Sequence, residues 1–347
     1  MDRETGQDHI IQWIQSLSKE TAHVEVIEEL LNTVLRLSEN HVTEKDIRII
    51  HTALKEIRYG FKFFSPYQDV RKVSVFGSAR TQASEPIYKH SALFAKRIAE
   101  AGFMVITGAG EGIMRAGQEG AGRARSFGIN ILLPFEQSAN QFIENDPKLM
   151  TFKYFFTRKL FFIKEADAIA LFPGGFGTHD EAFEALTLLQ TGKGDPMPVV
   201  FIDEPGGTYW RSWRAYIEKD FVERGLISRD DLHLFKVTDQ IDVAVEEMTT
   251  FYRRYHSISF VEGKPVLRLK QAIERHLLDQ LNRHFSDIVV KGEIVETGPI
   301  PGEEETPDGL QLSRLTFDFN KRSFGRLRQM IDYINRYDGE DEKALHG

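Results

Sequence analysis

The chain has 347 residues, 41% of them apolar, a formal net charge of -8, a pI near 5.8 and no cysteine. That length has room for about two domains with a real core, and the acidic balance argues against general binding to nucleic acid or to membrane surfaces. The lack of cysteine excludes disulfides, thiolate metal sites and a cysteine nucleophile, and the polar start Met1-Asp2-Arg3-Glu4-Thr5 has no secretory apolar segment. No apolar run reaches the roughly 20 residues of a membrane span, so a cytoplasmic protein is expected.

Residues 1–65 place Ile10, Ile11, Ile14 and Leu17, then Val26, Ile27, Leu30, Leu31, Val34 and Leu35, at helical spacing without a glycine-rich loop. This predicts a helical extension that packs on the main domain or joins a dimer interface. Strands and helices then alternate over 66–257. Val73-Ser74-Val75-Phe76 reads as a strand that enters the loop Gly77-Ser78-Ala79-Arg80. A helix follows over 86–101, with Pro86 in its first turn and Gly102 just past its end. Residues 103–107 form a second strand leading into Gly108-Ala109-Gly110-Glu111-Gly112-Ile113-Met114, and a helix continues to about residue 126. A third strand over 129–133 stops at Pro134, and an irregular stretch leads to a helix carrying Arg158 and Lys159. The apolar runs 168–172 and 198–203 are the next strands, followed by a helix through Trp210, Trp213 and Ile217 and a strand-helix pair near 235–255.

This alternation predicts an α/β fold, a Rossmann-like doubly wound parallel sheet, with 66–257 as the nucleotide-binding catalytic domain. Ligands belong at the carboxyl ends of such strands, and all three glycine-rich stretches fall there. Residues 258–347 have a different rhythm: helix over 270–285, strand over 288–296, a long acidic loop over 298–309, strand over 310–319 and helix over 324–337. They read as a small α+β accessory domain with a structural or oligomerisation role.

Chemistry concentrates in Pro173-Gly174-Gly175-Phe176-Gly177-Thr178-His179-Asp180-Glu181, between a buried strand and a helix marked by Ala182, Phe183, Leu186 and Leu189. Glycines let backbone N–H groups approach a ligand, and a helix N-terminus adds partial positive charge, so the join suits a phosphate. Thr178-x-x-Glu181 equally fits a capping box. Asp180, Glu181 and Glu184 gather acid at this helix start, and the Arg158-Lys159 pair returns to the same sheet edge. Cradle, cations and carboxylate together suit a sugar phosphate. His179 reads as an exposed first-turn residue, and the aromatics Phe152, Tyr154, Phe155, Phe156, Phe161 and Phe162 read as core more readily than as a base pocket. Gly108-x-Gly110-x-Gly112 lacks the spacing of a dinucleotide fingerprint, and the chain has no P-loop, zinc-protease or serine-elbow motif. The 11 histidines show no ligand spacing, so no metal is expected, and no lysine stands in a pyridoxal-phosphate context that would support decarboxylation.

The P-G-G-x-G-T-x-x-E signature at Pro173 to Glu181, the upstream Arg158-Lys159, Val75-Phe76-Gly77-Ser78 and the stretch from Gly108 to Met114 resemble the LOG (Lonely Guy) family. These are cytokinin riboside 5'-monophosphate phosphoribohydrolases, also labelled lysine decarboxylase-like; the likeness covers about 72–255 and is to the longer bacterial forms. It implies hydrolysis of the N-glycosidic bond of a nucleoside 5'-monophosphate to free base and ribose 5-phosphate. Arg158 and Glu181 would be the catalytic pair, Gly174, Gly175, Gly177 and Thr178 the phosphate loop with Lys159 beside it, and Gly77, Ser78, Gly110 and Met114 the surround of the nucleotide. The resemblance also implies no cofactor and a homodimer or higher homo-oligomer whose partner is the small nucleotide, with no nucleic acid or membrane. Phe155 stands where many members have methionine, and Glu111 adds acid to the second glycine loop; both bear on base choice. The competing expectation is a non-hydrolytic carrier or sensor that holds an intact nucleotide-like ligand in the same cradle.

Overall fold

The computed structural model of the chain describes residues 24–37, 41–133, 138–303 and 312–337. The chain divides into two compact units between Tyr59 and Gly60. In the first, α1 (Val24–Arg36) buries none of its residues. Helix α2 (Glu44–Phe64) starts at a capping box: Asp46 N donates to Thr43 Oγ1 at 3.3 Å, and Thr43 N donates to Asp46 Oδ2 at 3.0 Å. The expected helix around Ile10 to Leu17 lies outside the described residues.

The second unit is built on seven strands: β1 (Lys72–Phe76), β2 (Met104–Thr107), β3 (Ser126–Ile131), β4 (Leu149–Phe152), β5 (Ala168–Leu171), β6 (Val199–Ile202) and β7 (Lys236–Thr238). All pair in parallel, in the order β4-β3-β2-β1-β5-β6-β7. This is the expected Rossmann-like α/β sheet. Side chains alternate across it, as the period of a strand requires. Val73, Val75, Ala168 and Ala170 face a core shared with α3 (Pro86–Glu100), α4 (Ile113–Ala121) and α8 (Ile241–Thr250). Phe76, Ile169 and Leu171 face the other, shared with α5 (Phe155–Lys164), α6 (Phe176–Thr191) and α7 (Tyr209–Ile217). Each fully buried Phe, Ile or Val in these layers contributes about 1.5–3 kcal/mol through removal from water. Because β2, β3 and β4 lie on one side of β1 and β5, β6 and β7 on the other, chain order reverses between β1 and β5. Loops leaving those two strands diverge and open a crevice at their carboxyl ends.

The remaining strands, β8 (Tyr255–Val261), β9 (Lys264–Leu269), β10 (Val295–Thr297) and β11 (Ser313–Thr316), form an antiparallel sheet in the order β10-β11-β9-β8. One face buries Ile258, Leu267, Leu269 and Leu315 with α9 (Arg275–His284) and α10 (Phe324–Arg336). Arg328 Nη2 on α10 donates to Glu247 Oε1 on α8 at 2.6 Å, which ties this layer to the parallel-sheet layer.

Several boundaries differ from the sequence reading. Strand β3 begins three residues before the expected 129–133 segment, and β4 lies inside the stretch expected to be irregular. A four-residue edge strand shows too little of the two-residue period to be read. The 288–296 strand shrinks to β10, with Val289 making a single antiparallel bridge to Phe319, and the helix expected over 270–285 starts at Arg275. The β8-β9 hairpin was not anticipated. Its turn places Glu262 at φ 50° and Gly263 at φ 78°, the left-handed pair of a tight hairpin, but with Glu in place of the usual Asn or Asp. Residues 304–309 of the acidic loop lie outside the described residues. Among the described residues no helix is long and apolar enough to cross a membrane.

Candidate functional site

Three loops converge at the crevice, and Ser78 holds them together through its backbone. Ser78 N donates to Pro173 O at 3.0 Å, and Ile113 N donates to Ser78 O at 3.0 Å. The glycines divide by what surrounds them. Gly112, at φ 65°, has Ser78 O so close that an added β-carbon would lie 2.2 Å from it. At Gly174 the same carbon would lie 2.1 Å from Thr178 Oγ1, and at Gly108 2.3 Å from Arg158 Nη2. These three are small because protein atoms fill the space. Beside Gly175 and Gly177, by contrast, nothing lies within 4 Å, so the room there is open to a ligand.

The second glycine loop is clamped by Asn140, which sequence reasoning missed. Its Nδ2 donates to Gly110 O at 2.8 Å, to Ala109 O at 3.1 Å and to Gln118 Oε1 at 2.6 Å. Ala109 sits at φ 60°, a conformation that non-glycine residues avoid, and the clamp offsets that strain. Only its contact with residues 31 positions earlier reveals the role of Asn140, so no local signal announced it.

Helix α6 begins at Phe176 with Gly175 as its N-cap and no side-chain cap. The capping-box reading is thereby corrected: Thr178 is already the third helical residue, and Glu181 lies in the second turn. The first-turn N–H groups at Phe176 and Gly177 have no carbonyl one turn back to pair with, as at any helix start. They line a cavity of about 890 Å³ together with Gly77, Ser78, Gly110, Met114, Gly174, Gly175, Thr178, Arg158 and Glu181. Every anticipated site residue except Lys159 lines this one cavity.

Charge in the cavity is unevenly satisfied. Arg158, on α5, donates from Nε to Ile129 O at 2.8 Å, and its guanidinium lies 5.0 Å from the Phe162 ring centroid. Burial lowers its pKa to about 10 against the opposing pull of Glu181, so it remains a cation at neutral pH. Glu181 is only 8% exposed. Burial pushes its carboxyl up to about 7; Glu184 and Asp180 add to the rise, and Lys159 and Arg158 oppose it. Its Oε2 has no hydrogen-bond partner among the described residues, since the nearest cation, Lys159 Nζ, is 3.6 Å away. Lys159 also pairs with Asp180 at 3.0 Å and with Glu184. Burial alone would lower its pKa, and these carboxylates raise it instead. The second cation lining the cavity is Arg80, exposed on the first glycine loop, where a basic residue at a strand's carboxyl end was the available signal.

His179 is half-buried rather than exposed, and its Nε2 lies 2.7 Å from Tyr209 Oη, which in turn donates to Gly174 O at 2.5 Å. The aromatic stretch splits as its burial dictates. Phe152, Phe161 and Phe162 are core, whereas Phe155, 57% exposed, and Phe176, 97% exposed, stand at the cavity. Among the described residues no group of three or more His, Asp or Glu is placed to hold a metal ion.

Residues 108–248 match a family model described as possible lysine decarboxylase. Cytokinin riboside 5'-monophosphate phosphoribohydrolase LOG1 of Arabidopsis thaliana is 30% identical over 102 residues, which cover 29% of this chain. The chain spans less than half, 46%, of the length of that curated relative. Among solved structures, the molybdenum cofactor binding protein of Rippkaea orientalis is 18% identical with a TM-score of 0.37, over 51% of this chain and 94% of that one. The Moco carrier protein of Chlamydomonas reinhardtii is 20% identical with a TM-score of 0.35, over 51% and 93% of the two chains.

Proposed function

Since the chain carries a domain of the LOG, lysine decarboxylase-like family, we propose that its crevice hydrolyses the N-glycosidic bond of a nucleoside 5'-monophosphate. The observation that carries this reading is the buried Oε2 of Glu181, which has no hydrogen bond among the described residues, on the same cavity as the open start of α6 and the Arg158 guanidinium. Burying a carboxylate oxygen without a hydrogen bond is costly, and a donor that arrives with the substrate would offset that cost.

In this reading the phosphate rests on the N–H groups of Gly175, Phe176 and Gly177, where the helix supplies partial positive charge, and Arg158 and Arg80 neutralise it. Lys159 instead orders Asp180, Glu181 and Glu184 behind the cavity. Glu181 faces the ribose. Rupture of the C1'–N bond leaves positive charge on the sugar, which a carboxylate stabilises while it orients the attacking water. The water oxygen bonds to C1', one of its protons ends on the departing base, and ribose 5-phosphate remains. Arg158 keeps its proton throughout and acts as a fixed charge. With its pKa near 7, Glu181 is largely ionised only above neutrality, so kcat/KM rises with pH through about 7.

Purified protein incubated with AMP, GMP, CMP and UMP tests the reading by chromatography of free base and assay of ribose 5-phosphate. Release of both in equal amounts from at least one nucleotide is expected. No release from any of the four contradicts it, and retention of intact nucleotide without turnover identifies a carrier or sensor instead.

A further inference from the structure

We propose that His179 and Tyr209 are positioning residues that fix the Gly174–Gly175 peptide and so orient the Gly175 N–H that receives the phosphate. This rests on reading residues 174–178 as an anion cradle. Proton counting sets the direction of the contacts. A carbonyl can only accept, so the single hydroxyl proton of Tyr209 is spent on Gly174 O, 2.5 Å away. His179 Nε2, 2.7 Å from the same hydroxyl oxygen, must then be the donor, which assigns the Nε2–H tautomer.

The result is a one-way chain from the His179 N–H through the Tyr209 O–H to the Gly174 carbonyl. Consecutive bonds of this kind polarise one another. Because the peptide is planar and trans, pinning its C=O also fixes the N–H of Gly175 on the opposite side. The pull on the carbonyl makes that N–H a stronger donor. Gly175 has open space beside it, whereas Gly174 is wedged between Thr178 Oγ1 and Ser78 N, so the peptide is held from the protein side and free on the ligand side.

The relay is anchored at both ends. Tyr209 is the first residue of α7, whose start is held by Asp203 Oδ2 accepting from Trp210 N at 2.9 Å. The His179 ring lies 5.4 Å from that of fully buried Trp210. Burial lowers the pKa of His179 and raises that of Tyr209, so both stay neutral near pH 7 and the bond directions hold. Neither side chain needs to touch the reacting atoms.

Titration calorimetry with inorganic phosphate, paired with nucleotide kinetics, tests the relay. Tyr209→Phe is expected to weaken phosphate binding about five- to tenfold and to raise KM by a similar factor, with kcat within about twofold of wild type. His179→Ala should shift both in the same direction. His179→Gln, whose side-chain N–H reaches the same hydroxyl, should restore them, a rescue that mere packing does not predict. Unchanged phosphate affinity in Tyr209→Phe, no phosphate binding by the wild type, or a fall in kcat alone overturns the relay even where nucleotide is hydrolysed. Weakened phosphate binding in Tyr209→Phe, with no nucleotide cleaved by the wild type, keeps the relay and removes the hydrolase reading.

Discussion

Glu181 at the crevice and Glu247 at the seam between α8 and α10 are buried alike, 8% and 9% exposed, yet their carboxyls shift in opposite directions. Burial pushes both up. At Glu247 it is overcome by Arg328, Lys236 and Arg336, whose nitrogens lie 2.6, 3.0 and 3.4 Å from the carboxylate, and the pKa ends below the ordinary value. At Glu181 the only cation within ion-pair reach among the described residues is Lys159, which it shares with two other carboxylates, and the pKa ends near 7. Depth therefore separates neither role. Satisfaction does: one glutamate is a closed structural joint, and the other has an oxygen left without a hydrogen bond at the edge of a cavity.

The largest expected difference is in stability. Glu247→Gln leaves Arg328 buried without its main partner and is expected to cost about 3 kcal/mol, read as a fall of several degrees in melting temperature. Glu181→Gln removes a buried carboxylate whose Oε2 has no hydrogen bond and only one long, shared ion pair, with Lys159 at 3.6 Å, so its melting temperature should equal or exceed that of wild type. Equal losses from the two substitutions would erase the contrast.

Packing around the glycine loop at 174–177 offers a finer probe. Gly174→Ala drives a β-carbon into Thr178 Oγ1 and is expected to cost about 1–3 kcal/mol, whereas Gly175→Ala meets open space and should stay within about 0.5 kcal/mol. Only the Gly175 substitution should raise KM without loss of fold, because its methyl enters the ligand's room.

The smallest signature is the pH slope of stability, and it has opposite signs at the two glutamates. Glu181 binds its proton more tightly folded than unfolded, so its contribution is complete below the ordinary 4.5 and is lost as pH rises through about 7. Glu247 has a lowered pKa, so its contribution is present above 4.5 and is lost as pH falls through the folded value. Urea unfolding across pH 3 to 8 should therefore show Glu181→Gln gaining on wild type as pH rises towards 7. As pH falls below 4.5, wild type loses the Glu247 contribution, and Glu247→Gln should close on it. Parallel curves would contradict the assignment.

Much of the frame was legible because it is local. Buried strands such as Val73-Ser74-Val75-Phe76 and Ala168-Ile169-Ala170-Leu171 announce themselves as apolar runs, and glycines that follow a strand mark its carboxyl end. The signature singled out the candidate residues around Arg158 and Glu181, and all of them but Lys159 line one cavity. What stayed hidden depends on contacts across the chain. Nothing near Lys159 shows that three carboxylates surround it, nothing near Tyr209 points to Gly174, and Asn140 gains its role only against Ala109 and Gly110. The α6 start was misplaced because glycine, a cap without a side chain, leaves no capping signal, and Thr178 two residues inside supplies a false one.

Base release by Glu181→Gln, set beside its melting curve, tests the central claim most directly. A drop of about 100-fold or more in kcat/KM for the cleaved nucleotide, with the melting temperature kept or raised, is the predicted result. Undiminished base release, or a loss of activity matched by a loss of fold, would contradict it.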